Sequence, residues 1–247
     1  MAKFDMGAAW DDTTTLVKAY LPLTGVLAGI FFFLPGVALA LLGPTPLTPP
    51  DGARPDQVMT MLMADIRQQL PWLLAISIAS TLGSLAILRL WLARSGTSVG
   101  EALTFAFVMI PTLVAMFIIQ SILFGFALLL LIIPAIYLIG RLAAVYPLIA
   151  DRNLKNPLAA LQGSWQLTRG NGWRVAFFVI LFMIVLLIVT ALAGSVTSLF
   201  GDRGSIGHLL GSMINSAISA GFGLLNTAVL ASIYRQFVTA TSSDVFS

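Results

Sequence analysis

Residues 134–174 read PAIYLIGRLAAVYPLIADRNLKNPLAALQGSWQLTRGNGWR and hold the chain's densest group of positive charges: Arg141, Arg152, Lys155, Arg169 and Arg174. On either side lies a segment too hydrophobic for a water-facing surface. Residues 124–146 carry a single charge, and residues 175–199, which include VAFFVILFMIVLLIV, carry none. At 1.5 Å per residue, about 20 such residues cross a hydrocarbon core of roughly 30 Å. A short basic loop between two crossings marks the untranslocated side of a membrane protein. The stretch therefore sets the fold class: an all-α integral membrane protein.

Composition agrees. Of 247 residues, 58% are hydrophobic and only 9% are charged, with a mean hydropathy of +0.97, whereas a soluble domain carries about 25% charge. There is no room for an independently folded catalytic module, so residues 1–247 form one polytopic domain. The lack of cysteine excludes disulfides, thiolate catalysis and thiolate zinc sites. His208 is the only histidine, which leaves little for a metal cluster or a catalytic triad. No HExxH, G-x-S-x-G, Walker or Rossmann pattern occurs. The residues thus imply no catalytic group, no metal and no cofactor. The basic loop lacks an aromatic-lined surface, so no nucleic-acid partner is expected. The opening MAKFDMGAAWDD lacks a basic-then-apolar signal sequence, and the N-terminus reads as retained and cytoplasmic.

The pattern gives six transmembrane helices. Residues 5–20 are amphipathic, with Asp11 and the following threonines offering helix starts. Residues 23–42 form the first crossing, kinked at Pro35. Residues 43–56, rich in Pro and Gly, make a loop. A helix beginning near Val58 leads into the second crossing, between Trp72 and Trp91, which ends at Arg89 and Arg94. Third and fourth crossings over 102–121 and 124–146 form a tight hairpin turning around Gln120, Ser121 and Gly125. The fifth covers 175–199 and the sixth about 209–237. In the sixth, Ser212, Ser216 and Ala220 repeat at four-residue spacing with Ala217 and Gly221 offset by one. Asn215 and Asn226 offer bonds across the bundle, and the small residues suit close packing or a homo-oligomer contact.

With six crossings, one side holds ten basic residues: Lys3, Lys18, Arg89, Arg94, Arg141, Arg152, Lys155, Arg169, Arg174 and Arg235. The other holds three, Arg54, Arg67 and Arg203. That asymmetry puts both termini in the cytoplasm. Three cytoplasmic stretches, 6–22, 99–111 and 156–173, share a form in which an alanine-containing amphipathic turn leads into a pair of crossings. They suggest amphipathic cytoplasmic lead-in helices and three repeated helical hairpins.

The candidate functional surface lies in 141–174. Asn156-Pro157 starts a helix, Gly170-Asn171-Gly172 ends it, and Trp165 and Trp173 fit headgroup depth beside Arg152, Lys155, Arg169 and Arg174. Arg141 sits inside the fourth apolar segment, where it either snorkels to the interface or forms an internal ion pair with Glu101, with Asp151 and Arg89 being the other possible partners. The residues that mark this surface are Arg141, Glu101, Asp151, Ser164, Trp165, Arg169, Asn171 and Arg174.

Arg141 and Pro147 leading to Asp151, the Ala-Leu before Ser164-Trp165, and Asn171 before a new membrane helix also carry a resemblance. The segment RLAAVYPLIADRNLKNPLAALQGSWQLTRGNGWRV resembles the membrane domain associated with some glycerophosphoryl diester phosphodiesterases. It is similar as well to the related YciC-like bacterial inner-membrane proteins. In fused members hydrolysis belongs to a separate soluble barrel, and no catalytic residue maps onto these positions. The resemblance implies a bacterial inner-membrane protein connected with envelope lipids, maintenance or assembly. The expected function is non-catalytic binding of membrane phospholipids or a membrane-protein partner; the alternative is a small transporter or channel.

Overall fold

In the computed structural model, which describes residues 3–45, 47, 50, 52–93, 96–197, 200–201 and 205–243, regular structure is helical throughout. Asp5 rather than Asp11 starts the first helix, α1 (Met6–Ala28), by accepting a hydrogen bond from Ala8 N. Thr14 and Thr15 turn their hydroxyls back onto the Asp11 carbonyl inside the helix. The first lead-in segment and crossing are thus one continuous rod, so this stretch lacks the separate lead-in helix of the suggested repeat. A wide π turn, Gly29–Phe33, then passes into α2 (Leu34–Leu42). It lies just before Pro35, which has no N–H for a regular helical bond. The turn is seated between two glycines. A Cβ on Gly83 would overlap Phe31, and one on Gly223 would lie 2.9 Å from the Phe32 ring.

Helix α3 (Pro55–Leu92) merges the expected lead-in and second crossing into one helix of 38 residues, about 57 Å long. Its first turns project beyond the bundle, where Asp65 accepts from Leu47 N and Gln68 donates to Thr45 O. Arg94, expected to end this crossing, lies outside the described residues, as does Arg203. Two separate lead-in helices do occur, α4 (Val99–Val108) and α8 (Pro157–Leu167). Each buries small residues against the bundle: Ala102 and Ala106 in α4, Ala160 and Ser164 in α8.

The hairpin between α5 (Ile110–Leu130) and α6 (Ile132–Leu142) turns at Leu131, not around residues 120–125. Leu131 alone is extended, and the tip around it is wholly apolar, with Leu129 84% exposed. Gln120, Ser121 and Gly125 stay inside α5, where Gln120 accepts from the Tyr146 hydroxyl at 3.1 Å. A polar residue in an apolar helix is satisfied by a neighbouring helix and need not mark a turn. After α6 the chain breaks briefly at Ala143–Ala144 and resumes as α7 (Val145–Arg152), closed by Asn153 at φ 53°. The long α9 (Gly172–Thr197) and α10 (Ile206–Ser243) complete the bundle.

Among the described residues, six helical runs are long and apolar enough to cross a membrane. Their lipid-facing character is plain in α9, where Phe177, Ile184, Leu187 and Leu192 are exposed on a helix apolar all round. The packed interior lies toward the basic end. There Leu16, Leu85, Leu88, Met109, Leu148 and Tyr234 form one cluster, and Phe4, Val175, Phe178, Val229 and Ile233 another. Bonds between helices at this level include Thr13 with Ser232 (2.9 Å) and Thr227 to Ser84 (3.1 Å). Ser216 and Ala220 are buried, and Ser216 faces Gly36 of α2. Part of that small-residue row is therefore used within the chain, while Ala217 and Gly221 are exposed.

Candidate functional site

Arg141 stands at the break between α6 and α7. Pro147 has no N–H to give to the preceding turn, and the break leaves the Arg141 carbonyl oxygen to two hydroxyls of α8. Ser164 Oγ donates to it at 2.8 Å, and Thr168 Oγ1 lies 3.2 Å away with its single proton shared with the closer Ser164 carbonyl at 2.8 Å. In return, the Arg141 guanidinium donates from Nη2 to the Trp165 carbonyl oxygen at 2.6 Å. That oxygen belongs to the last turn of α8, whose carbonyls lack partners within the helix and whose dipole favours a cation. The two elements therefore satisfy each other's unpaired backbone groups.

The side chain is 3% exposed, so Arg141 does not snorkel to the solvent. Neither does it meet a carboxylate at ion-pair distance; among the described residues such pairs join Arg54 to Asp56 and Arg235 to Asp12. Its charge is met by the carbonyl and by two rings. The guanidinium carbon lies 4.2 Å from the Trp165 ring centre and 5.7 Å from that of Tyr137, an arrangement that stabilises a desolvated cation. Tyr137 also touches Trp173, with ring centres 5.3 Å apart. Buried Nε is without a partner.

Glu101, expected as the counter-ion, is occupied elsewhere. Its carboxylate accepts from Ser98 N at 2.8 Å and from the Ser98 hydroxyl at 2.9 Å, while Ser98 Oγ caps Glu101 N. This capping box starts α4, and the Ser98 N–H holds the Glu101 carboxyl below the ordinary carboxylate range. Asp151 is also elsewhere: it accepts from the Tyr234 hydroxyl at 2.6 Å. Arg89 donates to the Ala150 carbonyl at 2.7 Å and stacks on Phe105, capping α7 as Arg141 caps α8.

Of the remaining expected residues, Ser164, Trp165 and Arg169 lie close to Arg141. Asn156 caps α8 through Leu158 N, with Pro157 in the first turn, and Gly170 adopts φ +78° past its end. Buried Asn171 accepts from Phe4 N at 2.9 Å, tying the start of the chain to the start of α9. One face of α8 is buried through Ala160, Ser164 and Thr168; the other presents Leu158, Gln162, Trp165, Gln166 and Arg169. Trp165 is 43% and Trp173 54% exposed, with Arg169 and Arg174 exposed beside them. Thr168 and Tyr137 are the site residues the sequence reading missed. The four-residue spacings Ser164–Thr168 and Tyr137–Arg141 were the available signals.

Because two hydroxyls share one carbonyl, Ser164→Ala or Thr168→Val alone is expected to cost about 0.5–1 kcal/mol. The double variant leaves the Arg141 carbonyl without either donor and is expected to exceed the sum of the singles by about 1 kcal/mol. Equilibrium unfolding of the four proteins in mild detergent checks this; strict additivity contradicts the shared-acceptor account. Among the described residues, no group of three or more metal-ligating side chains converges. Compared with known protein families, curated proteins and solved structures, the chain matches none of them.

Proposed function

We propose that the protein is a non-catalytic membrane module that binds anionic phospholipid head groups at its basic end. The observation that carries this reading is the clamp on α8. Arg141, buried without a carboxylate, fixes α8 so that Trp165 and, just past its end, Arg169 lie exposed, while Trp173 and Arg174 are exposed at the start of α9. Indole rings favour the depth of the head groups, and arginines beside them meet phosphates. We read this end as the cytoplasmic face of a bacterial inner membrane, from the distribution of Lys and Arg. The resemblance of residues 141–174 to the phosphodiesterase-associated membrane domain and to YciC-like proteins supports a connection with envelope lipids. The transporter alternative has less to rest on, because Leu85, Leu88, Met116 and Leu148 are buried and pack into the interior.

Native mass spectrometry of protein in nanodiscs containing phosphatidylglycerol tests the proposal. Arg169→Gln and Arg174→Gln are each expected to lower lipid retention about fivefold, the effect of about 1 kcal/mol per basic residue at a membrane surface. Trp165→Ala is expected to lower it further. Retention equal to wild type in the Arg169→Gln/Arg174→Gln variant would falsify the assignment.

A further inference from the structure

A second feature of the basic end lies away from the α8 surface. A cavity of about 410 Å³ opens between one face of α1 and the C-terminal ends of α3, α7 and α10. Its polar groups include Asp12, Tyr20, Trp91, Asp151, Tyr234 and Arg235. They come from four helices, and the volume lies in the range of small-ligand sites.

Charge within the cavity is uneven. Asp12 pairs with Arg235 at 3.1 Å, so those two charges offset each other. Half-buried Asp151 accepts a hydrogen bond from the Tyr234 hydroxyl, which Arg152 also reaches, and no Lys or Arg of the described residues lies within ion-pair distance of the Asp151 carboxylate. The helix ends add to its field. Leu92 closes α3, Asp151 stands in the last turn of α7, and Thr239 lies in the last turns of α10. Helix C-termini carry partial negative charge, which Arg89 relieves at the end of α7 through the Ala150 carbonyl at 2.7 Å and, more weakly, the Asp151 carbonyl at 3.5 Å. Trp91 lines the same cavity, is 8% exposed, and its buried Nε1 has no acceptor. Apolar Leu16, Leu92 and Val238 complete the wall.

From this cavity we infer a binding site for a zwitterion of the aminoalkyl-phosphate class, such as a phosphoethanolamine group. The primary ammonium meets Asp151 and the converging helix ends. The phosphate meets Arg235, and its oxygens supply the acceptor that the Trp91 indole lacks. The same chemistry comes as a lipid head group or as a free solute. This site is separate from the Arg169–Arg174 surface and stands or falls independently of it.

The test compares wild type, Asp151→Asn and Tyr234→Phe by native mass spectrometry in nanodiscs of phosphatidylethanolamine or phosphatidylglycerol, with soluble phosphoethanolamine as competitor. Asp151→Asn keeps an oxygen for the Tyr234 hydroxyl while removing the charge. It is expected to lose about tenfold in phosphatidylethanolamine retention, as for truncation of one partner of a charge pair, and to leave phosphatidylglycerol unchanged. Tyr234→Phe keeps the charge and is expected to retain the zwitterion, which separates loss of the charge from loss of the fold. Quenching of Trp91 fluorescence by soluble phosphoethanolamine, absent in Trp91→Phe, identifies a free solute; retention of the lipid despite the competitor identifies a head group. Equal retention of phosphatidylethanolamine by wild type and Asp151→Asn, or equal losses for both lipids, overturns the inference.

Discussion

Gly140→Ala is expected to destabilise this protein by about 3 kcal/mol, the upper end for overpacking. A Cβ at Gly140 would overlap the carbonyl oxygen of Gly172 and fall 2.6 Å from Ala176 N, both backbone atoms of α9. Neither atom can move aside as a flexible side chain would. Helices α6 and α9 must separate, and the clamp built on α6 moves with them. Gly172 repeats the arrangement from the other side, since its own Cβ would lie 2.7 Å from Arg141 Cδ and 2.9 Å from the Tyr137 ring. Close approach through small residues is the usual means of helix association in lipid, where the hydrophobic effect does not separate helix from solvent. Gly125→Ala supplies the control, because a Cβ there meets nothing within 4 Å. It is expected to be neutral or slightly stabilising through helix propensity. Thermal unfolding in detergent compares the two; equal shifts contradict the packing argument.

Arg141 substitutions should rank in an order that runs against charge conservation. The guanidinium bonds the Trp165 carbonyl and lies over its ring with one planar group. A charge-assisted hydrogen bond contributes about 1.5–3 kcal/mol, and a desolvated cation–π contact about 2 kcal/mol, against a desolvation cost of several kcal/mol for the ion. Arg141→Met removes both sides of that balance and is expected to cost about 2 kcal/mol net. Arg141→Lys keeps a charge that must be buried and loses the planar fork, so it is expected to be worse than methionine. Hydrogen exchange across residues 157–168 should quicken about 30-fold in the methionine variant, the factor for 2 kcal/mol of local opening. A lysine variant as protected as wild type would show that position 141 supplies charge alone.

Much of this fold is written locally. Asn156-Pro157 and Gly170 mark the limits of α8, because caps and positive-φ positions need particular residues next to one another. The apolar runs mark the crossings because bilayer thickness sets their length. The turn at Leu131 has no such mark: leucines and isoleucines continue on both sides, while the polar residues that suggest a turn stay inside α5. The partner of Arg141 is hidden for another reason. It is a backbone carbonyl, and every residue has one, so nothing in side-chain composition identifies Trp165 as the acceptor. The Asp151 cavity draws on α1, α3, α7 and α10, and its charge balance exists only after those helices assemble.

The apolar tip of the α5–α6 hairpin bears on how the chain enters a bilayer. Helix α5 has 21 residues and is about 31 Å long, close to the hydrocarbon thickness. Leu128, Leu129, Leu130, Ile132 and Ile133 surround the turn at Leu131, with no hydrophilic residue among them. During biogenesis this pair has no polar cargo to carry across the membrane. The two helices can partition together as one greasy wedge from the side on which both of their ends lie.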